Sequence, residues 1–180
     1  LDEVAHEAGK DLPALLLELI AGREKEPDQR GGFTGFTAGF DPARMRGVIE
    51  KALAMSDWGA AAGAGRAKGF GFYFSHQGYF AEVVEASLDA RNQVVIHDVW
   101  CAGDVGSHII NPHGALNQVE GSIIDGLGQA LQLAVEFEGG AAKQSNFHNY
   151  QLPRMPMVPN LHVEFVKSDN APTGLGEPAL

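Results

Sequence analysis

The chain has 180 residues, 44% of them hydrophobic and 20% charged, a balance that suits one globular unit able to bury a core. Its net charge is −10 and its basic residues are scattered, which excludes a nucleic-acid surface built on clustered Lys and Arg. No apolar run reaches the length of a membrane span: the nearest, Leu12 to Ala21, contains Pro13 and Glu18. No signal segment is read, and the single Cys101 rules out an internal disulfide.

In chain order, residues 1–58 read as a helical region and 59–180 as an α+β part, together one compact unit. Leu1 to Ala8 and Leu12 to Ile20 carry periodic apolar positions, interrupted by Gly9 and ended by Gly22. The charged, then Gly- and Phe-rich segment from Arg23 to Gly39 reads as a loop. Asp41-Pro42 starts another helix, with Met45, Val48, Ile49, Ala52, Leu53 and Met55 as its buried side and Trp58 just past its end. The glycine-rich run Gly59 to Gly71 has neither phosphate-loop nor dinucleotide-fingerprint spacing and reads as a linker into a sheet. Strands follow over Gly69 to Ser75, Tyr79 to Leu88 and Val94 to Cys101, the last two joined by a polar turn at Asp89 to Gln93. The third is apolar on both faces, as expected of a sheet covered on two sides. Later, Val135 to Glu138 reads as a short strand, Gly139-Gly140 as a turn, Ser145 to Leu152 as an extended segment and Leu161 to Val166 as a final strand.

The organising element is the long helix predicted from Asn111 to Leu131. Asn111 suits the N-cap and Pro112 the first helical position. Leu116, Val119, Ile123, Leu127, Ala130 and Ala134 form an apolar stripe. Gly114, Gly121 and Gly128 recur every seven residues, roughly 160° from that stripe and near Gln118 and Asp125. Each glycine costs about 1 kcal/mol against alanine inside a helix, so three on one face call for close approach, either by packed backbone or by a ligand. The fold class is α+β: a largely antiparallel (mixed) sheet with the glycine-lined helix packed on it and an N-terminal helical region.

Candidate chemistry is sparse. Asp104, His108 and His113 are the best histidine-bearing cluster, yet their spacing matches no compact metal motif, and Asp104 reads better as a residue that caps or turns the loop leading into the helix. No metal ligand is assigned. His148 reads as structural. Glu177 stands in Thr173-Gly-Leu-Gly-Glu-Pro178, on a constrained loop that would suit a general base if dry, or simply an exposed turn.

Several ordered pieces point further: Asp104-Val-Gly-Ser-His-Ile-Ile-Asn-Pro112; Gln118-Val-Glu-Gly121 followed by Gly126-Leu-Gly128; Phe147-His-Asn-Tyr150 with Leu152-Pro153; and Gly174-Leu-Gly-Glu-Pro178. This combination resembles the C-terminal part of the molybdenum-cofactor-binding large subunit of the xanthine dehydrogenase/aldehyde oxidase family. The segment around Phe147 is most similar to the isoquinoline 1-oxidoreductase beta-subunit branch. The resemblance covers residues 70–180 well and residues 1–58 less distinctively. It implies that Glu177 is the general base beside molybdenum and that Gln118 hydrogen-bonds the pterin of a molybdopterin-type cofactor. It further implies hydroxylation of an aromatic N-heterocycle or an aldehyde with water-derived oxygen. Electrons would leave through iron–sulfur clusters on a partner subunit or domain, with cytochrome c a candidate further partner. The family's other cofactor-gripping segments are not matched, so the chain reads as a fragment of a longer subunit, inactive by itself. The alternative is a structural or interaction domain that kept the fold and lost the chemistry; a metallohydrolase using Asp104, His108, His113 and Glu177 is the poorest reading. Compartment stays open between cytoplasm and periplasm.

Overall fold

The computed structural model describes residues 1–23, 40–175, 177 and 179, so the loop expected at Arg23 to Gly39 falls almost wholly outside the described residues. Two short helices, α1 (Asp2–Glu7) and α2 (Leu12–Leu19), lead the chain. The α2 cap is Asp11, whose side chain accepts from the Ala14 N–H and also from the Trp58 indole at 2.8 Å. Helix α3 (Pro42–Met55) begins after Asp41, which accepts from the Ala43 N–H; Met45, Val48, Ile49 and Ala52 are its buried side, as their spacing predicts.

Three long strands follow: β1 (Arg66–Ser75), β2 (Gly78–Leu88) and β3 (Val94–Asp104). Helix α4 (Pro112–Leu131) comes next, then the two-residue strands β4 (Phe137–Glu138) and β5 (Ala141–Ala142), and finally β6 (Asn160–Phe165). The main sheet has the order β1-β2-β3-β6, antiparallel except for the parallel pair β3 and β6. The class is therefore α+β. β4 and β5 form a separate hairpin around Gly139-Gly140.

Strand parity divides the core in two, because successive side chains of a strand point to opposite faces. Tyr79, Ala81 and Val83 of β2, with Ala102 of β3, pack under α2 and α3. Phe80 of β2, with Val99 and Cys101 of β3, packs on the other face with Val119 and Ile123 of α4. The two-sided cover expected for β3 is present over its second half; Val94 and Val95 remain exposed.

Several expectations change in detail. The extended segment expected at Ser145 to Leu152 is instead a turn at its start, held by the Asn149 side chain, which accepts from the Ser145 and Asn146 N–H groups. An Asn that can satisfy two adjacent backbone donors makes a turn out of a stretch that composition alone leaves ambiguous. The presumed linker is shorter than expected, since Gly69 and Gly71 lie inside β1. Helix α4 ends at Leu131, which leaves Ala134 outside its stripe, while Ala130 is exposed.

Candidate functional site

Helix α4 starts as its sequence dictates: the Asn111 side chain accepts from the Gly114 N–H at 3.0 Å, with Pro112 at the first helical position. Ala115, Val119, Ser122 and Ile123 are its buried face. The three glycines do not share one environment. A Cβ added at Gly128 would stand 2.6 Å from the Pro153 ring, so here the close approach comes from this chain's own loop. At Gly114 the neighbour is the Asn111 cap itself. At Gly121 a Cβ would meet nothing within 4 Å. Gln118 lies one turn before Gly121, exposed, and no described residue hydrogen-bonds its carboxamide. An uncovered glycine beside an amide with no partner among the described residues leaves room for a flat polar ligand to approach, as the pterin implied by the resemblance would require.

Glu177 is brought to the same side of the sheet. Leu175 and Ala179, two residues either side of it, join the cluster of Val119, Ile123, Phe80 and Cys101. The chain leading there is laid against the loop after β3: the Ser107 N–H donates to the Asn170 carbonyl and the Thr173 N–H to the Val105 carbonyl, both at 2.9 Å. Gly106 permits this contact. Its φ is +91°, and a Cβ there would sit 2.3 Å from the Ala171 carbonyl oxygen. Glu177 itself is 78% exposed, with an Oε2 3.5 Å from the His76 Nε2 in the β1–β2 turn. The Ser75 hydroxyl contacts the other ring nitrogen of His76 at 2.8 Å.

Asp104 belongs to a different arrangement from the metal cluster considered above. It is 1% exposed and bound by Arg44 in a two-pronged pair, Nε to Oδ2 at 3.0 Å and Nη2 to Oδ1 at 2.9 Å. Its Oδ1 also accepts from the Gly106 N–H and the Ser168 hydroxyl. Burial would raise the Asp104 carboxyl, but Arg44, Gly106 and Ser168 outweigh it and hold it below the usual range. With those partners, and with His108 and His113 on the exposed segment and helix start that follow, the carboxylate acts as a turn anchor. Among the described residues no group of three metal-ligating side chains is assembled. His148 is exposed.

Two residues escape a reading by motif. Arg44 shares a helical face with the buried Val48 and Ala52, four and eight residues on, and a cation in that register signals a buried anionic partner. Glu82 of β2 points to the α4 side opposite Cys101; desolvation pushes its carboxyl up to about 7, against a lesser lowering by the thiol. Its Oε1 is shielded from solvent with no hydrogen-bond partner among the described residues.

The architecture is thus an α+β unit that presents an uncovered helix face and a carboxylate loop on one side of a mixed sheet. A family model for a molybdopterin cofactor-binding domain matches residues 39–159, and the chain belongs to that family. The beta subunit of isoquinoline 1-oxidoreductase from Brevundimonas diminuta is 37% identical over 141 residues, which are 76% of this chain and 18% of that protein. The membrane-bound pyrroloquinoline-quinone aldehyde dehydrogenase of Gluconacetobacter polyoxogenes is 28% identical over 99% of this chain and 23% of its own length. The chain therefore spans about a fifth of these curated relatives. Quinoline 2-oxidoreductase from Pseudomonas putida 86 shares the fold, with a TM-score of 0.54 over 57% of this chain and 14% of that one at 21% identity. The matched residues include Gln118 and stop short of Glu177.

Proposed function

We propose that the chain is the C-terminal part of the cofactor-binding subunit of a molybdenum hydroxylase. It would act on an aromatic N-heterocycle or an aldehyde, with oxygen from water, and pass electrons to iron–sulfur clusters on a partner subunit or domain. The observation that carries this is the family match across the helix bearing Gln118, together with the Glu177 loop, whose Leu175 and Ala179 join the same apolar cluster as Val119 and Ile123 of that helix. When bound, the molybdenum cofactor supplies the Lewis acidity that activates a water-derived oxygen and takes up the electron pair of the substrate.

The chain's own residues do the rest. The Gln118 carboxamide offers one acceptor and two donors to a pterin edge, and Gly121 leaves room for the ring system to come close. Glu177 accepts the proton of the attacking oxygen at its carboxylate, the role a positioned base fills in the transition state. Being 78% exposed in this chain, it depends on the remainder of the subunit to exclude water.

The test is Glu177→Gln in the full-length assembly, with isoquinoline and benzaldehyde as probe substrates. Glutamine is nearly isosteric but accepts no proton at neutral pH. Molybdenum content should stay normal while substrate-dependent reduction slows by about 10²–10⁴-fold. A loss smaller than about tenfold at full molybdenum occupancy would sink the base assignment and favour a domain that kept the fold without the chemistry.

A further inference from the structure

The Glu177 loop is held by a chain of contacts that begins on the opposite face of the sheet. Helix α3 packs under β2 and β3 on the side away from α4, yet Arg44 reaches the end of β3 and grips Asp104 there. The same guanidinium donates to the Asp104 backbone carbonyl at 3.0 Å and lies over the Tyr79 ring, 4.5 Å from its centre. Tyr79 is 1% exposed and accepts from the Asp41 N–H, so the start of α3 is tied to the same point.

Asp104 passes this fixation on. Its Oδ1 accepts from the Gly106 N–H and so sets the turn that turns the Val105 carbonyl and the Ser107 N–H towards residues 170–173. It also accepts from Ser168, at the start of the segment that those groups bind. Residues 168–173 are thus attached to the Asp104 turn at three places, and Glu177 follows four residues later between the anchors Leu175 and Ala179.

We propose that Arg44, acting through Asp104, is a positioning residue for Glu177: the buried pair sets where the carboxylate loop stands relative to α4. The proposal rests on Glu177 being the base. A merely stabilising pair would be replaceable by any fold-preserving contact, whereas a positioning pair demands the two-pronged geometry, because a displacement of about 1 Å at a reacting group can cost 10²-fold in rate. Lysine keeps the charge and loses the planar fork, so it separates the two roles.

The experiment uses the full-length assembly carrying Arg44→Lys, Glu177→Gln, or both. Molybdenum content, hydrogen exchange and reduction by isoquinoline and benzaldehyde are measured on each. In Arg44→Lys, molybdenum should remain, the Ser107 and Thr173 amides should exchange faster, and kcat should fall at least tenfold with KM little changed. Added to Glu177→Gln, the same substitution should slow the enzyme less than twofold further, since a displaced base that is already disabled has nothing more to lose. Faster exchange with unchanged kcat would overturn the proposal, leaving a structural pair only. So would a rate loss that multiplies fully onto Glu177→Gln. A silent Glu177→Gln would remove the base assignment and this proposal with it, whereas a disabled Glu177→Gln beside a normal Arg44→Lys would remove the positioning role alone. If Arg44→Lys does not retain molybdenum, Ser168→Ala takes its place: the same loop exchange should rise, and the same non-additivity with Glu177→Gln is required.

Discussion

Glu82 shows how one side chain carries information that no motif holds. It stands in β2 between Phe80 and Val84, on the face that meets α4, with the Cys101 thiol beside it. Burial also pushes that thiol well above its usual range, so the thiol stays protonated and offers no charge to balance. A carboxyl whose folded pKa is raised to about 7 from 4.5 binds its proton more tightly in the native state. Its contribution to stability is therefore complete below the unfolded value and is lost as pH rises through the folded one. Across that window the loss is on the order of 3 kcal/mol. Glu82→Gln in the full-length subunit should then raise the melting temperature at pH 8 and change it little at pH 5. An equal shift at both values would show that Glu82 is not charged at the cost of the fold. Asp104 behaves in the opposite sense: its carboxyl is held low, so what it contributes is lost only as the pH falls through the acid range.

At the scale of elements, α4 divides its glycines between internal packing and an open face. Gly128 is required by Pro153, and Gly114 lies against its own cap. Gly121 is left with space around it, so the reason for a glycine there is to be sought in what the rest of the subunit or a ligand brings to that surface. Gly121→Leu should accordingly leave this part of the fold intact and reduce molybdenum loading or melting temperature in the full-length enzyme, by overpacking worth about 1–3 kcal/mol. Gln129→Leu, on the exposed flank, disturbs one hydrogen bond to Asp125 and should be milder. Molybdenum content and melting temperature of the Gly121 variant equal to wild type would count against close approach at that glycine.

The whole molecule is a two-faced sheet whose α4 side carries both candidate site residues, Gln118 and Glu177, exposed. A cofactor bound to such a surface would be gripped from one side only, by few hydrogen bonds, against the entropy of holding it. Large apolar side chains also stand open, Ile110 and Met155 at 98% and 83% and Phe137 and Phe147 at 74% and 68%. In relatives roughly four times as long, much more chain is available to cover such surfaces. The 180-residue chain on its own should therefore carry no stoichiometric molybdenum after purification. Elemental analysis showing one molybdenum per chain would overturn this expectation.

What the sequence determined by itself is the local structure and the motifs on which the candidate site is proposed. The Asn111 cap, the helix register of Met45 to Ala52 and the strand alternation from Tyr79 to Val84 are each set by residues within a few positions of one another, so periodicity and capping chemistry suffice to read them. Gln118 and Glu177 stand in short ordered motifs, but it is the family resemblance, not periodicity or capping, that points to them as candidate site residues. The tertiary structure decided which distant segments meet. Arg44 and Asp104 are 60 positions apart, and nothing near Asp104 announces its partner. Pro153 closes over Gly128 from a loop 25 residues on, while Gly121, with the same spacing on the same helix, is left open. β6 joins β3 in parallel, which requires the long connection between them, α4 included, to carry the chain back along the sheet. Such choices depend on closing long loops around a shared core, and the free energy that settles them lies in contacts that exist only once the chain is folded.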